Sequence, residues 1–226
     1  MPTTDSIWLR AEPERPRRSP PLTRERIVEA AIAILDERGL DGLTMRSLAQ
    51  RFDVSATALY WHVRTKDDVL DLAVDEIFSE VCLPTATDDW RADVRVLIHG
   101  WREAMLRHPW SVTLIGRPML GPNVLARTEF LQAALVRGGL GGHELAVATH
   151  LLANFVIGAA VTGAAATGAS ATEGPAAEVG VDPRQARRRI TADPGAYPTL
   201  AASGHLDPDQ WGEGDLFASG LDVLLG

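Results

Sequence analysis

Between positions 56 and 66 the chain groups Ala56, Thr57, Ala58, Tyr60, Trp61 and His62, followed by Lys66, with no acidic residue among them. A solvated helix face is normally rich in Glu, Lys and Arg, whereas this run offers methyl, hydroxyl, phenol, indole and imidazole groups. On one helix the set suits a nucleic-acid duplex. Small residues let a helix lie deep in the major groove, Thr57 reaches a base edge or a thymine methyl, and the aromatic tips hydrogen-bond phosphates. The alternative is that Tyr60 and above all Trp61 are core residues. Lys66 falls in the first turn of the following helix, where a cation opposes the macrodipole. A phosphate would satisfy both its ammonium and the free N–H groups there, the alternative being a solvated lysine.

Other chemistries fail on spacing. His143 and Glu144 begin an H-E-x-x-H pattern, but Val147 stands where the second histidine is needed and His150 comes three residues late. No Gly-rich phosphate loop and no G-x-S-x-G elbow is present. Cys82 is the only cysteine, which rules out an internal disulfide framework and a cysteine-based zinc cluster. With no activating partner nameable it reads as a buried or redox-silent thiol. No catalytic set can be assembled, and neither a metal nor a cofactor is expected. The rival classes are a helical small-molecule-metabolising enzyme and a constitutive DNA-binding protein, which would leave the long acidic part of the chain without a purpose.

That acidic part is visible in the charge distribution. Residues 1–66 carry a net charge of +2 and residues 67–226 one of −10, so a polyanion should meet the N-terminal third and be repelled by the rest. With 46% hydrophobic and 23% charged residues over 226 positions, the chain can bury a real core. The N-terminus has no apolar run of the secretory kind. The longest apolar stretch, 151–166, is broken by Asn154 and Thr162 and is shorter than the roughly 20 residues a membrane span needs. A cytoplasmic protein with no membrane partner is the expectation.

The elements that must position these side chains follow from periodicity and caps. Residues 1–21, rich in Arg and Pro, read as a flexible arm, either inert or reaching DNA. Ile27, Ala30, Ala31, Ile34 and Leu35 predict a first helix capped by Thr23 and stopped by Gly39. A second helix is expected from Thr44 to about Phe52. A tight turn through Asp53 and Val54, with Val54 tucked inward, leads to a third helix capped by Ser55 and running through Val63, and together they form a helix-turn-helix within 22–66. A connecting helix, 67–82, starts from a Thr65/Asp68 capping pair. Beyond it, 83–226 reads as a helical domain: helices over 90–107, 123–136, 143–165 and 214–225, with a mobile loop over about 170–204 holding one helical turn. The helix 143–165 is apolar almost all round and must be buried against something larger than its own domain.

The stretches L-T-R-E-R-I-V-E-A-A, G-L-T-M-R-S-L-A-Q-R-F-D-V-S and L-Y-W-H-V-R-T-K-D-D-V-L-D closely resemble the DNA-binding domain of the tetracycline-repressor (TetR) family, over roughly residues 22–80. His108-Pro109, Gly116-Arg117-Pro118 and the region 154–158 are similar to the regulatory domain of the tetracycline-repressor subgroup. The resemblance implies an all-α homodimer: a three-helix helix-turn-helix domain followed by a helical ligand-binding and dimerisation domain. It implies binding of palindromic double-stranded operator DNA and release by a small hydrophobic or drug-like inducer. Carried over by position, the DNA contacts would be Met45, Arg46, Ala56, Thr57, Ala58, Tyr60, Trp61, His62 and Lys66. Family members that bind tetracycline with magnesium use a His and a Glu where this chain has Thr113 and Thr162, which puts a metal site in doubt. A cavity between helices would be lined by Leu97, Trp101, Met105, Trp110, Met119, Glu129, Phe130, His150 and Asn154, core packing being the alternative for each. For His150 and Asn154 a hydrogen bond across the dimer is a further alternative.

Overall fold

The computed structural model describes residues 21–115, 117, 119–166, 183–204 and 212–226. All of the expected arm except Pro21 lies outside them. Three threonine caps set the start of the head. The Thr23 hydroxyl accepts from the Arg26 N–H at 3.3 Å, opening α1 (Arg24–Gly42). Thr44 and Ser47 form a reciprocal capping box at α2 (Met45–Arg51), and Thr65 and Asp68 another at α4 (Lys66–Ile77). Each satisfies N–H groups that a helix start leaves without partners. Gly39 has φ +63°, a conformation side chains resist, so α1 kinks there and its last turn, Leu40 to Gly42, swings away.

Between α2 and α4 the helix expected to run through Val63 is α3 (Ala56–Leu59), four residues long. Ser55 makes no side-chain cap bond, and residues 60–62 form a turn in which the His62 N–H reaches the Leu59 carbonyl at 2.8 Å. No side-chain cap supports the start of α3, and two aromatic residues of modest helix propensity follow its single turn. Val54 is not tucked inward but 36% exposed, because Asp53 takes φ +54° and turns the chain outward. The head core is nonetheless closed: Ile27, Ala31, Leu35, Leu48, Leu59, Val63 and Val69 are all buried.

After Ile77 the α4 ladder tightens into a 3-10 turn, Phe78–Glu80. The body then consists of α5 (Trp90–Arg107), a 3-10 turn Pro109–Leu114, α6 (Pro122–Arg137), α7 (Gly142–Ala166), α8 (Pro183–Ala192), α9 (Pro198–Ser203) and α10 (Glu213–Leu225). No strand occurs among the described residues. α5 is the axis of the body, burying Val94, Leu97, Ile98, Trp101 and Met105 against α6 and α7. α8 and α9 correct the expected loop over 170–204: proline at the first turn pre-sets the helical φ in both. Residues 167–182 lie outside the described part. α7 spans 25 residues because the segment before Leu151 is helical too. By length and composition alone its residues 142–165 would cross a membrane, which the apolar run by itself would not. Cys82 is exposed rather than buried.

Head and body share α4. Asp67, Asp71 and Asp75 recur every fourth residue along it. Arg117 donates to Asp71 at 2.6 Å and to Asp67 at 3.0 Å, and these bonds, Asp71 first, push its guanidinium pKa further up. Asp75, 8% exposed, accepts from the Asn123 and Val124 N–H groups and the Asn123 amide, a carboxylate at the N-terminus of α6 where the dipole favours it. The contact is close enough that a Cβ on Gly121 would lie 2.1 Å from the Asp75 carboxyl carbon. In return buried Arg127 of α6 donates to the Ser79 and Val81 carbonyls that follow α4. Burial lowers its pKa, with Asp75 opposing, and it stays charged.

Within the body, Asp93 is 3% exposed and ties the start of α5 to Thr87 and to Arg137 at the end of α6. Burial raises its pKa, but bonds from the Thr87 N–H, the Thr87 hydroxyl and Arg137 outweigh that and hold the carboxyl below its usual value. A depressed carboxylate pKa stabilises the fold above the unfolded value of about 3.9, and the contribution is lost as pH falls through the folded value. Asp93→Asn is therefore expected to lower stability at neutral pH and to flatten the acid limb of the pH–stability curve, as urea unfolding at stepped pH would read.

Candidate functional site

The recognition candidates form one surface on the head. Thr57, Tyr60 and Trp61 are exposed, Trp61 at 87% and Tyr60 at 51%, which settles against a core role for either aromatic. Ala56, Ala58 and His62 are half-buried beside them. Leu59 and Val63 point the other way into the core and hold α3 on the head. Arg46 is exposed on α2, while Met45 is half-buried and packs against the core. Arg24, exposed, reaches the His62 carbonyl at 3.5 Å and adds a cation to this edge that the motif spacing did not single out. Lys66 is neither free nor solvated. It is half-buried, and its ammonium donates to the Leu40 carbonyl at 3.0 Å, tying the start of α4 to the displaced last turn of α1. An ammonium has three donors, so this bond and a phosphate contact are compatible.

The second candidate lies in the body. A cavity of about 230 Å³ is lined by Phe78, Trp101, Met105, Ile115, Met119, Val124, Thr128, Ala153, Val156 and Ile157. Of the nine residues expected at a ligand site, Trp101, Met105 and Met119 line it. Leu97 is wholly buried core, and Trp110 turns its indole N–H to Asp36 on α1 at 2.7 Å. Phe130 is half-buried, packed against the core from α6. Glu129, His150 and Asn154 are exposed. On α6 and α7 the wall residues lie one step around the helix from those expected: Thr128 rather than Glu129 and Phe130, and Ala153, Val156 and Ile157 rather than Asn154. Polar side chains are a poor guide to a cavity that is almost wholly apolar. The periodic face Val124/Thr128 and the set 153, 156 and 157 carried the signal. The Thr128 hydroxyl is itself spent on the Val124 carbonyl at 2.9 Å.

A second cavity of about 360 Å³ adjoins the first, sharing Met119 and Val124, and its other wall carries Asp71, Asp75 and Arg117 of the α4 contact. Thr113 and Thr162 are both exposed, and each hydroxyl donates to a carbonyl of its own helical turn. Among the described residues no cluster of three or more His, Cys, Asp or Glu is placed to hold a metal.

Comparison with known proteins matches the same two units. Residues 27–73 match the model of bacterial regulatory proteins of the tetR family, and residues 83–226 that of the tetracyclin repressor-like C-terminal domain. An HTH-type transcriptional regulator of Saccharopolyspora erythraea is 46% identical over 156 residues, 68% of this chain and 66% of that protein. The HTH-type transcriptional repressor DrrR1 of Streptomyces coeruleorubidus is 31% identical over 99% of this chain and 83% of its own. The structure of the Streptomyces coelicolor TetR family protein ActR in complex with actinorhodin superposes with a TM-score of 0.77 at 30% identity, covering 91% of this chain and 96% of that one. The chain belongs to the TetR family of transcriptional regulators. It is a regulator and not an enzyme, with a helix-turn-helix head and a tetracycline-repressor-like helical body.

The two sites place two tryptophans in opposite environments, and stability separates them. Trp61→Ala should change the unfolding free energy by no more than about 0.5 kcal/mol, as for exposed positions generally. Trp101→Ala should cost about 3–5 kcal/mol, as for a buried large aromatic. Urea unfolding of both variants checks the assignment, and a large loss at Trp61 would contradict it.

Proposed function

We propose that the protein is a cytoplasmic, dimeric repressor that binds palindromic double-stranded operator DNA and is released by a small, largely apolar molecule. The observation that carries this is the exposed, acid-free face of Thr57, Tyr60 and Trp61 on a head whose core is otherwise fully packed. A solvent-facing indole of this kind gains only when a partner covers it. Thr57 is assigned to base reading, and Tyr60, Trp61, Arg46 and Lys66 to phosphates, with Ala56, Ala58 and His62 shaping the close approach.

Dimerisation is supported by what the body leaves uncovered. On α7, Val147, Leu151, Asn154, Gly158, Val161 and Ala165 are exposed along one stripe, and on α10 Leu216, Val223 and Leu224 are exposed. Two such stripes from each subunit make a four-helix interface, which accounts for α7's composition better than a lipid environment does, since the chain carries a DNA-reading head. Asn154 belongs to this stripe. Leu221 is wholly buried within its own subunit, so a charge there would test folding, whereas Val161 tests association.

The inducer is assigned to the apolar cavity between α5, α6 and α7, and ActR, whose structure was determined with actinorhodin, supports a ligand in this body. With Thr113 and Thr162 where tetracycline–magnesium repressors place a His and a Glu, release proceeds without magnesium. A ligand derepresses only by binding the DNA-incompetent arrangement more tightly.

Selection from a randomised duplex library should return a two-fold symmetric site, and affinity indifferent to sequence would contradict the proposal. On the selected duplex, Lys66→Ala should weaken binding to all sequence variants and reduce the salt slope by about one counterion, while Thr57→Val should change the preference among bases. In sedimentation at micromolar concentration the wild type should be a dimer, and Val161→Arg should shift it to a monomer by stranding a charge in the interface. A wild-type monomer would overturn the dimeric reading.

A further inference from the structure

His108, 8% exposed at the end of α5, stands between two carboxylates from the other side of the head–body boundary. Its Nδ1 lies 2.8 Å from Asp36 Oδ1 on α1, and its Nε2 lies 3.0 Å from Glu80 Oε1 in the turn after α4. The remaining neighbours complete the set. Trp110 donates its indole N–H to the same Asp36 oxygen at 2.7 Å and meets the imidazole edge to face, and Arg107 pairs with the other Glu80 oxygen at 2.6 Å. A neutral imidazole has one N–H and can serve one carboxylate, presenting a lone pair to the second. Only the imidazolium donates to both.

We propose that His108 is a positioning residue for DNA binding. As the imidazolium it clamps Asp36 and Glu80 together and fixes the head on the body, and on losing its proton it lets one of them go. Because only the charged ring donates to both carboxylates, proton binding favours the clamped state and the clamp loosens as pH rises. The joint sits in the chain between Met105 and Ile115, which both line the apolar cavity, so it links the cavity wall to α1 as well as to the turn after α4. The clamp rests on geometry alone. Its consequence for DNA rests on the operator-binding reading above.

The test has two arms. In the full chain without DNA, amide-exchange protection in α1 and the indole N–H resonance of Trp110 are followed from about pH 5 to 8, where histidine is the side chain that ordinarily changes charge. Wild type should lose protection by about tenfold across this range, the order of one charge-assisted hydrogen bond. His108→Gln, which cannot titrate, should be flat. Asp36→Asn, which leaves a neutral His108 with a single carboxylate to serve, should be flat as well, and decides the matter if His108→Gln fails to fold. In the second arm, affinity for the selected duplex should fall about tenfold more over the same range in wild type than in either variant. All three proteins keep His62 on the DNA face, so the difference between profiles isolates His108. A wild-type profile without pH dependence in the first arm overturns the clamp. Titrating protection with flat DNA affinity overturns the positioning role. Failure to recover any specific duplex sinks the operator reading, and the exchange arm still decides the clamp.

Discussion

α4 has to belong to two cores at once. Val69, Leu70, Ala73 and Ile77 seal the head against α1, while Asp67, Asp71 and Asp75 on the same helix grip the body through Arg117 and the start of α6. Packed interfaces of this kind have discrete arrangements and do not deform continuously. The contacts of α4 with Arg117 and with the start of α6 therefore couple the head to the body. The exposed half of this grip, Arg117 with Asp67 and Asp71, is individually weak. Asp75 and Arg127 are buried, with three hydrogen bonds accepted by the one and four donated by the other, and they make the junction costly to break.

The apolar cavity sits where this constraint can be used. Phe78, Trp101, Ile115 and Val124 in its wall belong to four elements, namely the turn after α4, α5, the segment after the 3-10 turn, and α6. A ligand that spreads these walls acts on both ends of the α4 contact. The cavity supplies almost no polar group, since Thr128 is already satisfied. A ligand held here, as proposed above, would draw its affinity from apolar area and shape.

Local signals in the sequence were sufficient for much of the fold. Thr23, Thr44 and Thr65 cap helices within three residues of themselves, and Gly39 breaks one by its own dihedral, so each could be placed without tertiary knowledge. The outward placing of Thr57, Tyr60 and Trp61 was legible for a related reason: it follows from the order of residues within the run itself. What depended on partners distant in sequence was not legible. Lys66 binding Leu40, Arg127 binding Val81 and His108 binding Asp36 join residues 26, 46 and 72 apart, and no spacing rule indicates them. In the ligand cavity, preference for polar anchors selected Glu129, His150 and Asn154, which point to solvent.

The claim on which the account turns is that a rigid pair of heads, held at a fixed separation by the two bodies, reads DNA through α3. Hydroxyl-radical footprinting of the bound duplex measures this most directly. The account predicts two protected blocks related by two-fold symmetry, with centres about 10–10.5 base pairs apart as for two recognition helices on one face of the duplex. A single protected block, or continuous protection without symmetry, would contradict it.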